Sequence, residues 1–221
     1  MTRNLILIPT QLERDVLQPQ LDPVLKSVDR VELSGFGLVA AAARAGCLIE
    51  SLKPERVMLV GIAGTYSDDL PVGSAACFNS VACYGIGAGT GSQHQTVGEM
   101  GWNHIGGRRG DKATGRCSVS DTIAVNGGMA EHSSDPTVQL LSVTAAAATA
   151  EDVHQRLQRF PKAAAEDMEG FAIAMACQLA DVSLSIVRGI SNRAGDRNIT
   201  QWQIQPSLES AANLTRELSI W

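Results

Sequence analysis

Short apolar runs and longer helical stretches alternate along this chain. The apolar runs hold mostly Leu, Ile and Val between turn residues, as buried strands do, whereas the helical stretches are Ala-rich or apolar along one face. The pattern predicts strands at 5–8, 30–33, 56–60, 75–84, 122–125, 137–143 and 184–190, a short helix or turn at 11–17, and helices at 37–52, 151–160, 171–180 and 206–218. Such alternation is typical of an α/β domain with a mixed sheet.

No internal repeat and no long linker interrupts this alternation, so we expect one domain over residues 1–221. Residues 85–116 are rich in glycine and polar residues, which predicts an irregular excursion between two strands. With 44% hydrophobic but only 4% aromatic residues, the core is expected to consist mainly of Ala, Val, Ile and Leu. That composition suits a sheet covered by helices.

Charge and cysteine content narrow the class of protein further. The formal net charge of −5 gives no broad electrostatic reason to bind nucleic acid. No apolar run approaches the roughly 18 residues of a membrane span, and the run at 5–8 is too short for a signal peptide. The five cysteines are odd in number and form no CxxC pair, which we interpret as buried thiols in a reducing compartment, the cytoplasm.

Several familiar motifs fail on inspection. The glycines of 85–91 resemble a dinucleotide fingerprint, but Thr90 stands where its third glycine belongs and no helix follows. The four histidines lack the HExxH spacing and are interpreted as surface or loop residues. Neither a phosphate-binding glycine–lysine loop nor a GxSxG elbow occurs. We therefore expect no cofactor and no metal.

Polar residues concentrate at two places that the pattern puts close together. The segment 166–172 (EDMEGFA) precedes the helix at 171–180, and the segment 188–192 (RGISN) ends the strand at 184–190. Ligands of open α/β sheets bind at strand ends. A carboxylate accepts two hydroxyl protons, and an amide both donates and accepts, so the combination suits a polar small molecule.

The order of Gly61-Ile62-Ala63-Gly64, then 166–170, then 188–192 resembles the nucleoside phosphorylase and nucleosidase superfamily. Within it, the longer ending 190–197 (ISNRAGDR), with Trp202 close behind, is similar to the futalosine hydrolases of menaquinone biosynthesis. The resemblance covers most of 5–215 but is weak in 85–115. It implies a three-layer α/β/α fold with a mixed central sheet, a nucleoside substrate and assembly into a homo-oligomer.

The resemblance also implies roles for individual residues. Met168 and Glu169 would hold the ribose, with the Glu169 carboxylate accepting from its two hydroxyls. Asn192 would address N7 and the 6-substituent of the purine, and because its NH₂ donates toward a 6-oxo group, the chain favours hypoxanthine or guanine over adenine. The other substrate-binding positions that it implies are Ala63, Gly64, Thr144 and Ser191.

The attacking group is predicted from the loop after the first strand. Phosphorylases of the superfamily have glycine and arginine there to hold a dianion, whereas this loop, 9–15 (PTQLERD), has no glycine. A carboxylate would repel phosphate but orient and deprotonate water. Glu13 is our candidate for that base, and Asp15 is the alternative. The prediction is a nucleosidase that releases hypoxanthine from futalosine; a phosphorylase or hydrolase of other 6-oxopurine nucleosides and a non-catalytic binding protein remain open.

Each candidate also has an ordinary structural explanation. Glu13 and Asp15 could simply occupy the first turn of a helix, where the dipole favours acids. Glu169 could begin a helix for the same reason, and Asn192 could be a turn or cap residue. The small residues Gly61, Ala63 and Gly64 form either a tight strand-to-helix turn or a surface that a sugar can approach.

Overall fold

The computed structural model describes residues 2–107, 118–125 and 138–218. In this part of the chain the strands and helices follow one another as β1 (Asn4–Ile8), α1 (Gln11–Leu21), β2 (Arg30–Leu33), α2 (Gly37–Leu52), β3 (Arg56–Thr65), β4 (Ala75–Phe78), β5 (Ser80–Tyr84), β6 (Gly87–Ala88), β7 (Gln95–Thr96), β8 (Thr122–Ala124), β9 (Gln139–Val143), α3 (Ala150–Arg159), β10 (Ala163–Asp167), α4 (Gly170–Ala180), β11 (Ser183–Arg193) and α5 (Ile204–Leu218). Single 3₁₀ turns lie at Gly91–Gln93 and Ile199–Gln201.

Nine of the described strands form one mixed sheet. The order β2-β1-β3-β10-β9-β5-β8 runs through it, and β11 pairs with β3 and with β4. Strand β3 is parallel to β1 and β11 but antiparallel to β10, while β8 and β4 add antiparallel edges. The predicted mixed sheet is confirmed.

Strand β3 has two successive neighbours on one side. Its first half pairs with β1 as far as Leu59, and its second half pairs with β10 from Gly64 onward. Between these two pairings, neither neighbouring strand reaches the backbone of Gly61–Ala63. This interruption in the sheet is where the main cavity opens.

Helices cover both faces, as the alternation of β1 shows. Leu5 and Leu7 pack into the core shared with α2 and α4, whereas Ile6 and Ile8 pack into the core shared with α1 and α5. Successive strand residues point to opposite faces, so a continuous apolar run in β1 requires a cover on each. The predicted three-layer α/β/α arrangement is confirmed.

Two strand predictions were wrong. The predicted strand 75–84 is two strands separated at Asn79: β4 pairs with β11, whereas β5 pairs with β9 and β8. Strand β10 was not predicted at all, because its sequence AAAED has little intrinsic strand preference. Its position between β9 and β3 supplies the pairing that the side chains do not specify.

Several other boundaries also differ from the prediction. Strand β8 ends at Ala124 and β9 begins at Gln139, so both are shorter than predicted. Helix α1 extends to Leu21 through Pro19, β3 continues to Thr65, β11 continues to Arg193 and α5 begins at Ile204. The excursion contains the short pair β6–β7 within its described part. No helix among the described residues is both long and apolar enough to cross a membrane.

The thiol and histidine predictions need partial correction. Cys83 and Cys177 are buried, but Cys77 is only partly buried and Cys47 is exposed. Within the excursion, the side chain of His94 is 3% exposed, so its loop position does not place it at the surface. Cys117, His132, residues 108–116 of the excursion and residue 137 of a predicted strand lie outside the described residues.

Candidate active site

A cavity of about 390 Å³ opens at the interruption beside β3. It gathers residues from the ends of β1, β3, β10 and β11, which the chain order keeps far apart. Its lining comprises Pro9, Thr10, Leu12, Glu13, Phe36, Ile62, Ala63, Gly64, Val143, Ala146, Glu166, Asp167, Met168, Glu169, Ser191, Asn192, Arg197, Trp202 and Ile204. Of the predicted site residues, only Thr144 is not in the lining. It is exposed, one position beyond Val143, and its role stays a prediction.

Glu13 is held in the cavity by the start of α1. Thr10 is the N-cap, and its backbone N–H and hydroxyl donate to Glu13 Oε2 at 3.0 and 2.5 Å, which completes a capping box. The other oxygen, Oε1, accepts from the Ile62 backbone N–H at 3.0 Å. The Glu13 carboxylate thus takes part in capping the first turn of α1 and also fills the gap in the sheet, where Glu13 is only 4% exposed.

The alternative base, Asp15, has a different environment. It is exposed on α1, does not line the cavity, and accepts from Gln11 Nε2 at 2.5 Å. The two carboxylates are two residues apart, and successive helical positions two apart do not share a face. Only Glu13 faces the other predicted site residues.

Glu169 stands at the N-cap of α4 but does not cap that helix with its side chain. Instead, Oε1 accepts from the Gly37 backbone N–H at 2.9 Å, at the start of α2, and Oε2 accepts from Arg188 Nη2 at 3.3 Å. Burial raises the pKa of Glu169 to about 7, the Asp167 and Glu13 charges act in the same direction, and the Arg188 charge opposes them. Two of the roughly four acceptor positions of the carboxylate remain for a ligand.

Arg188 joins the acidic residues from behind the cavity. It is fully buried in β11, and its Nη2 is ion-paired with Asp167 and with Glu169. Burial alone would lower the pKa of Arg188, but the Asp167, Glu169 and Glu13 charges raise it overall. The sequence analysis included Arg188 in the segment 188–192 but predicted no role for it. The signal was an arginine inside an otherwise apolar strand, since a buried arginine requires carboxylate partners.

Gly61 makes room for this arrangement rather than for a sugar. A Cβ on Gly61 would lie 2.3 Å from Arg188 Nη1 and 2.7 Å from Glu13 Oε1. Gly61 lies inside β3 and does not line the cavity, so the tight-turn explanation is wrong for it. Ala63 and Gly64 do line the cavity, as predicted for positions that a ligand can approach.

Ser191 and Asn192 are neighbours in β11, yet both line the cavity. The pairing of β11 with β3 shifts by one residue between Ile190 and Asn192, which is a β-bulge. A regular strand sends neighbouring side chains to opposite faces, and a bulge re-aims one of them. The bulge therefore brings the Ser–Asn pair to one surface.

The Asn192 amide has a fixed orientation. Its Nδ2 donates to the Arg193 carbonyl at 2.8 Å, and its Oδ1 accepts from the Ser191 hydroxyl at 2.8 Å. Because a carbonyl only accepts, the NH₂ end must face Arg193. A Cβ on Gly64 would lie 3.4 Å from the same Nδ2, so the donor end adjoins the lining residue Gly64. The second N–H is the one available for a ligand.

A second buried arginine supports the opposite wall. Arg156 Nη1 pairs with Glu166 Oε2, Arg156 Nη2 donates to the Ala145 carbonyl at 2.8 Å, and the Ala147 backbone N–H donates to Glu166 Oε1 at 2.8 Å. The Tyr66 hydroxyl also donates to Glu166. Burial and the Glu166 charge raise the pKa of Tyr66 above its usual value. Sequence reasoning gave Arg156 and Tyr66 no part in the site.

The family follows from comparison with known proteins. Residues 30–219 match the model of the phosphorylase superfamily, and the chain belongs to this superfamily. The predicted superfamily resemblance is confirmed at this level.

Similar proteins are nucleosidases. The 5′-methylthioadenosine/S-adenosylhomocysteine nucleosidase of Shewanella pealeana is 25% identical over 169 residues, covering 75% of this chain and 69% of that protein. The Helicobacter pylori nucleosidase of the same name has a TM-score of 0.74 at 16% identity, covering 98% of this chain and 97% of that one. The futalosine hydrolase of Helicobacter pylori gives the same values. The chain is thus an enzyme of the nucleosidase type.

Proposed function

We propose that the protein hydrolyses the N-glycosidic bond of a 6-oxopurine nucleoside, futalosine, and releases hypoxanthine. The observation that carries this proposal is the donor end of Asn192, fixed beside a cavity whose buried carboxylates are Glu13, Glu166, Asp167 and Glu169. We propose a nucleoside as the partner and expect the cytoplasm and a homo-oligomer on the grounds given above.

Asn192 selects the base. N7 and a 6-oxo group of hypoxanthine are both acceptors, so the one free N–H of Asn192 finds an acceptor at either position. A 6-amino group is a donor, so an adenine would oppose an N–H to another N–H in a closed pocket. An unsatisfied buried donor costs about 1–3 kcal/mol, which corresponds to roughly ten- to a hundredfold in selectivity.

Glu169 holds the ribose. Its two oxygens each accept one hydrogen bond from the protein, from Gly37 and from Arg188, and each keeps capacity for one more. Two ribose hydroxyls match this capacity. Met168, which is partly buried and lines the cavity, would pack on the sugar ring.

Glu13 activates water. Oε2 is occupied by Thr10, and Oε1 has one acceptor position left beyond the Ile62 N–H. A water bound there would be oriented toward the cavity, and the carboxylate would take its proton as the water attacks the anomeric carbon. The bond from this carbon to the purine breaks at the same time, and the purine leaves with the electron pair, hydrogen-bonded to Asn192, and takes up a proton from solvent. The sugar passes through an oxocarbenium-like state, whose positive charge the neighbouring carboxylates stabilise.

Among the described residues, the buried end of the cavity offers phosphate no unpaired cation. The loop after β1 contributes the Glu13 carboxylate to the cavity and contains no glycine. The arginines 188 and 156 are already paired with carboxylates. A dianion would therefore meet acidic groups where a phosphorylase needs donors.

A second candidate is an adenine nucleosidase, since most of the similar proteins carry the name of 5′-methylthioadenosine/S-adenosylhomocysteine nucleosidase. The fold does not separate the two, because the futalosine hydrolase neighbour has the same TM-score of 0.74. The two candidate functions differ in the residue that hydrogen-bonds the 6-substituent of the purine, which we propose is Asn192.

The test is incubation with futalosine, inosine and 5′-methylthioadenosine, each with and without phosphate. We expect the highest kcat/KM with futalosine, release of hypoxanthine and no dependence on phosphate. Preferred release of adenine would replace the proposal by the second candidate. A sugar 1-phosphate product would exclude hydrolysis.

A further inference from the structure

The floor and the mouth of the cavity differ in chemistry. Among the lining residues, the carboxylates and Asn192 are at most 9% exposed, whereas Leu12 is 57% and Phe36 is 66% exposed. Arg197 is exposed as well, and Trp202 beside it is partly buried. Because base, ribose and water are recognised at the floor, any substituent that extends from the nucleoside leaves through the mouth. It meets apolar side chains and one cation there.

Arg197 differs from the arginine four positions before it. Arg193 is exposed and ion-paired with Asp68, so its charge is already compensated. The Arg197 guanidinium instead lies over the Trp202 ring, 4.9 Å from the centroid. Within the described residues it has no carboxylate partner. A stacked guanidinium keeps its N–H edge free for an anion.

The cations near the cavity occupy two different kinds of position. Of the floor carboxylates, Glu166 pairs with Arg156, and Asp167 and Glu169 pair with Arg188. Both arginines lie behind the wall and do not line it. Arg197 is the cation of the lining itself. The indole N–H of Trp202 also lacks an acceptor in the described part of the chain. The lining thus presents one exposed cation at the apolar mouth, stacked on the Trp202 ring.

We propose that Arg197, stacked on Trp202, recognises a carboxylate at the end of an apolar substituent on the ribose, and so determines which nucleosides the enzyme prefers. This inference rests on the proposed function, because it places the ribose at Glu169. The guanidinium would pair with the carboxylate in a bidentate manner, while Phe36 and Leu12 contact the apolar spacer.

The experiment uses two substrates that differ only in the terminal charge: futalosine, whose tail ends in a benzoate, and its uncharged carboxamide. The wild-type enzyme should prefer futalosine by about two- to fivefold in kcat/KM, as expected for an exposed charge pair. Arg197→Gln should abolish this preference. Arg193→Gln is the matched control, since it removes a nearby charge outside the cavity, and it should keep the preference. Added salt should weaken the preference of the wild type.

The outcomes separate the two proposals. Equal kcat/KM for both substrates in the wild type would overturn this inference and leave the proposed hydrolase intact. Loss of activity on both substrates to the same extent in Arg197→Gln would also overturn it, because that pattern means that Arg197 only supports Trp202. A wild-type enzyme that cleaves neither substrate overturns the proposed function first and this inference with it.

Discussion

Two buried arginines stand behind the cavity, and they are satisfied to different degrees. Arg156 pairs with Glu166, donates to the Ala145 carbonyl and lies 5.5 Å from the centroid of the Tyr84 ring. Arg188 pairs with Asp167 and Glu169, but its Nε and Nη1 have no hydrogen-bond partner in the described part of the chain. In the described part of the chain the hydrogen-bond donors of Arg156 are satisfied, whereas two nitrogens of Arg188 are not.

The difference indicates that the surroundings of Arg188 lower the folding stability, as is typical of a site that carries out chemistry. A buried donor without a partner costs about 1–3 kcal/mol, and such groups concentrate at functional sites. Burial beside Arg188, together with the Asp167 and Glu13 charges, also raises the pKa of Glu169. We therefore propose that the reaction takes place on the Arg188 side, called the reactive cluster (Glu13, Asp167, Glu169, Arg188). The Arg156 side, called the supporting cluster (Tyr66, Arg156, Glu166), would support the wall.

The largest effect is expected from Glu13→Gln in the reactive cluster. Glutamine preserves the capping box with Thr10 but cannot accept a proton from water, so kcat should fall by about 10²–10⁴. The measurement is steady-state hydrolysis of futalosine, with the thermal midpoint as a folding control. Asp15→Asn is the matched variant and should retain activity. The reverse result would transfer the base to Asp15.

Glu169→Gln should lower turnover by roughly 10²-fold, because each lost charge-assisted hydrogen bond to a ribose hydroxyl costs on the order of 1.5–3 kcal/mol. Near-normal turnover would reduce Glu169 to a partner of the α2 N-terminus.

The same residue predicts a pH dependence. Its pKa is raised to about 7, so the carboxylate is protonated below that pH and ionised above it. In the wild type, kcat/KM should rise with pH through an apparent pKa near 7 as Glu169 ionises. A rising limb that survives unchanged in Glu169→Gln would contradict this assignment. Stability should change in the opposite direction. Between about pH 4.5 and 7, Glu169 binds more protons in the folded than in the unfolded state, so its contribution to the free energy of unfolding declines as pH rises through that window.

Asn192→Asp addresses the base rather than the clusters. A protonated aspartate can donate to N7 and accept from a 6-amino group, so the preference for futalosine over its 6-amino analogue should narrow by roughly ten- to a hundredfold. The comparison requires kcat/KM for both substrates with both proteins. An unchanged ratio would mean that another residue reads the purine.

The smallest effect is expected in the supporting cluster. Tyr66→Phe removes one hydrogen bond to Glu166, which still accepts from Arg156 and Ala147. The free energy of unfolding should fall by about 0.5–1.5 kcal/mol, with little change in kcat/KM. Urea unfolding and steady-state kinetics measure both quantities. A loss of activity as large as that of Glu169→Gln would abolish the distinction between the two clusters.

Sequence reasoning succeeded where local pattern and final environment agree. Strand β2 and helix α2 have the predicted bounds. In α2 the apolar residues Ala41, Ala45, Leu48 and Ile49 recur at helical spacing and form the buried face. It failed for β10, whose AAAED sequence becomes a strand only between two partners. It also joined β4 to β5, since the break at Asn79 depends on which strands each one pairs with.

The site residues also divide into those that the sequence predicted and those that it did not. Glu13, Met168, Glu169 and Asn192 carry motif signals, and the structure brings all four to one cavity. Arg188 was visible in the sequence but could not be assigned, because only the tertiary structure shows its pairing with Asp167 and Glu169. The bulge that turns Ser191 and Asn192 to one side is likewise a property of the pairing with β3.

The most direct test of the central claim is the fate of water oxygen. The enzyme is incubated with futalosine in H₂¹⁸O that contains phosphate, and the sugar product is analysed by mass spectrometry. Water activated at Glu13 predicts one ¹⁸O atom at the anomeric carbon of the released sugar, no sugar 1-phosphate, and loss of product in Glu13→Gln. A sugar 1-phosphate without label would contradict the account.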